Sequence, residues 1–224
     1  MVDVFFCNMD GRDAARRRLD WQILSEDERK RAERFHFDRD RDMFTACRAA
    51  LRRLLARRTG TAPESLAFDY GDRGKPSLRG SGLNFNISHA GTWFACAISD
   101  GPAIGIDIEH IRPLEDMAAM ARHFFAPAEV ARLESLPEAD RTHSFFQCWT
   151  RKEAVIKATG EGVSRPLDSF EVAFGPAAAP ALLRLDDHRN PGWSMLSFDP
   201  APDTIAALTS PAPLGEVRIV DLTP

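Results

Sequence analysis

Apolar positions recur along this chain at two periods, every second residue in some segments and every third or fourth in others. The N-terminal stretch "MVDVFFCNMDG" reads as a strand. "SEDE", Ser25 to Glu28, is a capping-box signature that opens a charged helix. From about Asp40 to Arg58, the residues Phe44, Cys47, Leu51, Leu54 and Leu55 share one side of a longer helix, with Gly60 as its stop. "DYGDRGKPSL" is a loop by its Gly and Pro content. "LNFNISHAGTWFACAISDGPAIGIDIEHI" then reads as three short strands, with turns near Ala90-Gly91 and Asp100-Gly101. Two helical segments fill Leu114 to Leu136, and an amphipathic helix runs from about Asp140 to Thr159. Beyond it "FEVAF", "ALLRL", "WSMLSF", "TIAALT" and "VRIVDL" form a strand-rich end. Long helices beside antiparallel strands predict an α+β fold.

A faint internal repeat runs through this order. Phe44-x-x-Cys47 begins a helix ending at Gly60, and Phe145-x-x-Cys148 begins one ending at Gly160. Each is followed later by a strand-turn-strand that ends in Ser, "FNISHAGTWFACAIS" and "LSFDPAPDTIAALTS". The repeat predicts two similar α+β halves packed as an internal pseudo-dimer with a cleft between them, residues 1–103 and 104–224. Such a molecule is expected to be a monomer.

At 224 residues the chain is long enough to bury a real core. Its net charge of -4 predicts neither a nucleic-acid binder nor a membrane-surface protein. The charge is uneven: Arg12 to Arg58 holds 15 basic and 9 acidic residues, a net of +6 that leaves -10 for the rest. The four cysteines, Cys7, Cys47, Cys96 and Cys148, lack zinc or CxxC spacing and read as small core residues of a reducing compartment. No apolar run approaches the roughly 20 residues that cross a bilayer, so the expected location is the cytoplasm.

Candidate chemistry lies in three places. "GIDIEHIRP" puts Asp107 and Glu109 two apart on a strand, hence on one face. On the later helix, at 100° per residue, Glu153 lies between Phe146 and Trp149, with Lys157 one turn on. A carboxylate among aromatic residues is costly without a partner. Three carboxylates meeting there would suit Mg²⁺, which takes oxygen ligands and keeps waters for substrate phosphates. Third, "DRGKP" and "NISH" offer Arg73, Lys75, Asn86, Ser88 and His89 as donors to a polyphosphate. Ser88 and His89, adjacent on a strand, face opposite ways, which argues against a nucleophile-base pair. The Walker motif GxxxxGK[ST] is absent.

In this order, "GKP", "FNISH", "GIDIE" and "WTRKEAVIKATGEG" resemble the Sfp-type 4′-phosphopantetheinyl transferases, the last segment resembling the W/KEA variety. The resemblance extends from "ERKRAERF" to "SRPLDSFEV". It implies coenzyme A and Mg²⁺ bound between two pseudo-symmetric halves. It also implies transfer of the phosphopantetheine arm to a serine of an apo acyl or peptidyl carrier protein, with release of adenosine 3′,5′-bisphosphate. By position Asp107 and Glu153 match the metal ligands, with Glu109 as a third. Glu153 also matches the residue that helps deprotonate the serine, and Lys157 the lysine set against the phosphates. Arg73, Gly74, Lys75, Pro76, Asn86, Ser88 and His89 fall where coenzyme A is held, and Arg48 matches a basic position on the long helix. Met43 stands where several relatives carry Arg or Lys. The region "PLEDMAAMARHFFAPAEV", with Met117, Met120, Ala121 and Phe124 at helical spacing, is implied to meet the carrier. The alternatives are another Mg²⁺-dependent nucleotide phosphotransferase and a non-catalytic coenzyme A- or carrier-binding relative.

Overall fold

The computed structural model describes residues 1–71, 73–186, 188–189 and 192–222, with the backbone alone at 163, 188 and 189. The chain opens with β1 (Val2–Asn8), then α1 (Ala14–Gln22), α2 (Glu26–Ala32) and α3 (Asp38–Thr59). Two short strands follow, β2 (Phe68–Tyr70) and β3 (Pro76–Leu78), and then the hairpin β4 (Asn84–Ala90) and β5 (Trp93–Ser99). The second run comprises β6 (Gly105–His110), α4 (Met117–Phe124), α5 (Pro127–Ser135) and α6 (Glu138–Thr159). It continues with β7 (Phe170–Val172), β8 (Leu182–Leu185), β9 (His188–Arg189), β10 (Ser194–Phe198) and β11 (Thr204–Ser210), and the chain returns in β12 (Val217–Asp221). The fold is α+β, and no helix among the described residues is long and apolar enough to cross a membrane.

The order of elements repeats. In the first run β1 pairs antiparallel with β5, and β5 with β4. In the second, β6 pairs antiparallel with β11, and β11 with β10. Both long helices span 22 residues and end on a left-handed glycine, Gly60 at φ 71° and Gly160 at φ 75°. Only glycine adopts that conformation without a Cβ penalty, so both stops are written in the sequence. The two runs share an apolar cluster in which Val2, Val4, Ala95 and Ala97 meet Ile104, Ile106, Ile108, Ala206 and Leu208. Each long helix has its own cluster. Leu51, Leu54 and Leu55 of α3 pack on Phe85, Phe94 and Ile98, while Phe145, Val155 and Ile156 of α6 pack with Phe125, Phe170 and Ile205.

Four features add to or change the sequence reading. The segment before "SEDE" is helical: Asp13 caps α1 by accepting the Arg16 amide at 2.7 Å, and buried Asp20 lies 2.6 Å from Arg53. Of "DYGDRGKPSL", expected as a loop, the described residues form β2 and β3 paired antiparallel, with Gly71 N–H donating to Lys75 C=O at 3.0 Å, while Asp72 lies outside the described residues. Helix α6 is surrounded by β6, β11, α5 and β7, which bury even Arg151 and Lys152. Finally, "VRIVDL" does not stay with the second run. As β12 it pairs parallel with β1, Val217 opposite Val2, so the C-terminal strand completes the first sheet. All four cysteines are free and buried.

Candidate active site

Two elements carry the charged centre, and a missing side chain lets them meet. A Cβ on Gly105, at the start of β6, would come within 3.0 Å of the α6 backbone at Ala154 and Ala158. Glycine therefore allows the helix to lie directly on the strand. Asp107 and Glu109 then project from β6 beside Glu153 and Lys157 of α6.

Asp107 is 4 % exposed. Its Oδ1 accepts from Lys157 Nζ at 2.7 Å and from Ser88 Oγ at 2.8 Å, and Lys157 Nζ also donates to Ser88 Oγ at 2.8 Å. Its other oxygen, Oδ2, is buried with no hydrogen-bond partner among the described residues. Glu109, half-buried, is pushed up to about 7 by loss of solvent and then by the Asp107 charge, Glu153 adding to it and Arg112 and Lys157 opposing. Glu153 is raised in the same way, by burial and then by Asp107, with Lys157 pulling it down. Three carboxylates thus share one lysine, and their mutual repulsion is only partly relieved.

Among the described residues no three His, Cys, Asp or Glu side chains already converge as a metal cage. The donor chemistry nonetheless fits a hard divalent cation. A buried carboxylate oxygen lacks a partner among the described residues, and two neighbouring carboxylates are destabilised by burial and then by the Asp107 charge.

A cavity of about 630 Å³ opens in front of this cluster. Arg73, Gly74, Lys75 and Pro76 of the β2–β3 hairpin line it, with Asn86 from β4 and Glu153 and Lys157 from α6. Ser88 and Asp107 stand immediately behind Lys157. Of the other candidate ligands, two are already engaged and a third faces away. Asn86 Oδ1 accepts the Ile106 amide at 2.8 Å, tying β4 to β6. Lys75 Nζ donates to Lys157 C=O at 2.5 Å, with the Ala158 and Ile104 carbonyls at 3.4 and 3.5 Å. His89 is exposed on the face of β4 opposite Ser88.

Arg48 does not reach the cavity. Its guanidinium pairs with buried Glu28, donates to Tyr70 Oη at 3.3 Å, and stacks over Phe68 at 4.6 Å. Arg52 holds the other Glu28 oxygen at 2.6 Å. A carboxylate buried in α2 therefore takes both arginines, which makes Arg48 a structural cation.

Sequence reasoning missed part of the wall. His123, Phe124 and Trp149 form an aromatic side, with Phe124 edge-on to Trp149 at 5.4 Å. Gly162, Arg165, Pro166, Leu167 and Asp168 close the end. Phe124 lay in the stripe on α4 and Trp149 in the α6 motif, but "GVSRPLD" carried no separate chemical signal.

Carboxylates and cations gathered beside one cavity are compatible with a broad class of charged ligands. Comparison with known proteins narrows the class. The family described as "4'-phosphopantetheinyl transferase superfamily" matches residues 103–209, and "4'-phosphopantetheinyl transferase, N-terminal" matches residues 15–100. The chain is 42 % identical over 189 residues to the 4'-phosphopantetheinyl transferase HetI of Nostoc sp., covering 83 % of this chain and 77 % of that protein. It is 35 % identical over 200 residues to psf-1 of Bacillus pumilus, covering 88 % and 84 %. With Sfp of Bacillus subtilis it shares 30 % over 191 residues, covering 81 % and 84 %. A solved structure titled "Chronobacterium ammoiniagenes apo-ACPS structure" covers 49 % of this chain and 94 % of its own, at 18 % identity and a TM-score of 0.38, too low to add to the fold. The chain belongs to the 4'-phosphopantetheinyl transferase superfamily.

Proposed function

We propose that this transferase moves the 4′-phosphopantetheine arm of coenzyme A onto a serine hydroxyl of an apo acyl or peptidyl carrier protein. The serine oxygen forms a bond to the phosphorus that bears the pantetheine. The pyrophosphate P–O bond breaks, and adenosine 3′,5′-bisphosphate leaves. The observation that carries this reading is the pairing of Lys157, which lines the cavity with Glu153, to Asp107 of β6, whose other oxygen is buried and unpartnered among the described residues.

Each group has a task set by its surroundings. Asp107, Glu109 and Glu153 would hold Mg²⁺, which when bound offsets phosphate charge and polarises phosphorus. Lys157 and Arg73 face the polyphosphate as cations, Lys157 held in place through Asp107 and Ser88. Glu153, half-buried, has its carboxyl pushed up by burial and then by the Asp107 charge, and is assigned the serine proton. The two runs, 1–103 and 104–224 with β12 returned to the first sheet, act as pseudo-symmetric halves with the substrate between them. The α4 region meets the carrier, and the arginine-rich first half steers an acidic one.

The test is mass spectrometry of a panel of apo carrier proteins incubated with this protein, coenzyme A and Mg²⁺. Transfer of one phosphopantetheine arm, abolished by EDTA and reduced at least 100-fold in Glu153→Gln, is expected. Full Mg²⁺-dependent transfer by Glu153→Gln would refute the role of Glu153. Coenzyme A binding with no transfer to any carrier would favour a binding-only relative, and a preference for ATP would favour a nucleotide phosphotransferase.

A further inference from the structure

The β2–β3 hairpin lysine sits in a segment that sequence reading assigns to the phosphates, yet its ammonium points elsewhere. Lys75 Nζ lies at 2.5, 3.4 and 3.5 Å from the carbonyl oxygens of Lys157, Ala158 and Ile104. An ammonium has three donors, and three carbonyls occupy them. Two of these belong to the last turn of α6, where carbonyls lack an intrahelical partner. The carbonyl before them is already met: Gly160 N–H and Thr159 Oγ1 both donate to Ile156 C=O, each at 3.0 Å. Lys75 therefore supplies what the helix stop leaves open. A cation at a helix C-terminus also opposes the negative end of the helix dipole.

The hairpin is shaped for this reach. Gly74, at φ 76°, lets the turn reverse, and Gly74 N–H donates to Gly71 C=O at 2.8 Å. The Lys75 stem then runs past Gly160, where an added Cβ would meet Lys75 Cδ at 3.6 Å. Partial burial also lowers the Lys75 amine from its ordinary value.

We propose that Lys75 is a positioning residue, an inter-half cap on α6 that fixes Lys157 rather than a direct phosphate ligand. The proposal rests on the transferase reading, because it assigns Lys75 its effect through Lys157. The Lys157 backbone is held by Lys75 while its side chain is held by Asp107 and Ser88. Loss of the cap frees the last turn of α6, and the Lys157 ammonium moves with it.

Lys75→Met keeps the stem and removes the donors. Transfer kinetics are expected to show kcat down about tenfold with KM for coenzyme A changed less than twofold, and Lys75→Arg to recover most of kcat. Amide hydrogen exchange on the substrate-free protein gives a separate readout. In Lys75→Met the Ala158–Gly160 amides are expected to exchange about tenfold faster, with the α3 amides unchanged. A tenfold rise in KM at constant kcat would overturn the proposal and return Lys75 to the phosphates. Unchanged exchange at Ala158–Gly160 would overturn it as well. If the wild-type protein transferred nothing, the function proposed above would fall while the exchange experiment still decided the cap.

Discussion

Gly105→Ala is the smallest change that separates the two halves of the charged centre. The new methyl carbon would lie closer than 3.0 Å to Ala154 C=O and Ala158 N–H, whereas ordinary contact begins at 3.4 Å. Both neighbours are helix backbone, so no flexible side chain can yield. Relief requires α6 to retreat from β6 by on the order of 1 Å, at an overpacking cost of about 1–3 kcal/mol. For a chain of this size that lowers the melting temperature by roughly 3–10 °C. The larger effect falls on chemistry. Lys157 Nζ sits 2.7 Å from Asp107, and a retreat of that size breaks the contact. Misplacing catalytic groups by about 1 Å costs on the order of 100-fold in rate. Thermal melts with mass-spectrometric transfer assays measure both. Gly101→Ala serves as the control, since its Cβ would meet Ser99 Oγ at an ordinary 3.8 Å. Gly105→Ala transferring within twofold of wild type, with an unchanged melting temperature, would refute the claim that close approach positions the site.

Two further outcomes follow from buried charge. Lys152→Met leaves Glu129 buried without its 2.7 Å partner, which costs about 3–5 kcal/mol and lowers the melting temperature by roughly 10 °C; a melt within 2 °C of wild type would contradict it. Glu109 has a folded pKa of about 7, above its ordinary 4.5, so its protonated form stabilises the fold at low pH and that contribution disappears as pH rises through 7. In EDTA, Glu109→Gln is therefore expected to raise the melting temperature more at pH 8 than at pH 5.5, with little effect below its ordinary 4.5, and equal shifts at pH 8 and 5.5 would refute the upward push that burial and then Asp107 give Glu109.

Local signals and distant pairings explain what the chain disclosed before folding. Both long helices ended where Gly60 and Gly160 said they would, because a left-handed stop is a property of a single residue. The β4–β5–β6 strands lay where alternation and turn residues put them. Helix α1 was hidden because "AARRRLDWQ" has no apolar period, and buried Asp20 takes its shortest ion pair from Arg53 on another helix. β12 read correctly as a strand, but its partner β1 is over 200 residues away, and nothing local names it. Asp107, Glu153 and Lys157 were legible because strand and helix periods place them on definable faces. Arg48 was misplaced for the opposite reason: its fate depends on Glu28, a residue that carried only a capping signal in the sequence.

The Lys152–Glu153 pair shows how one helix serves packing and chemistry at adjacent positions. Successive residues on a helix differ by 100°, so the two side chains look in different directions. Lys152 is fully buried, its ammonium 2.7 Å from Glu129 and from Leu167 C=O, 2.6 Å from Phe170 C=O, and 4.4 Å from the centre of the Phe170 ring. Glu129 in turn accepts the amides of Ala126 and Val172 at 2.9 and 2.8 Å, which satisfies both of its oxygens. That network pins α5, β7 and the Leu167 turn to α6. Leu167 lines the cavity into which Glu153 faces. A buried lysine thus holds the wall of the site, while the carboxylate next to it is left destabilised, and a metal or a proton can relieve it.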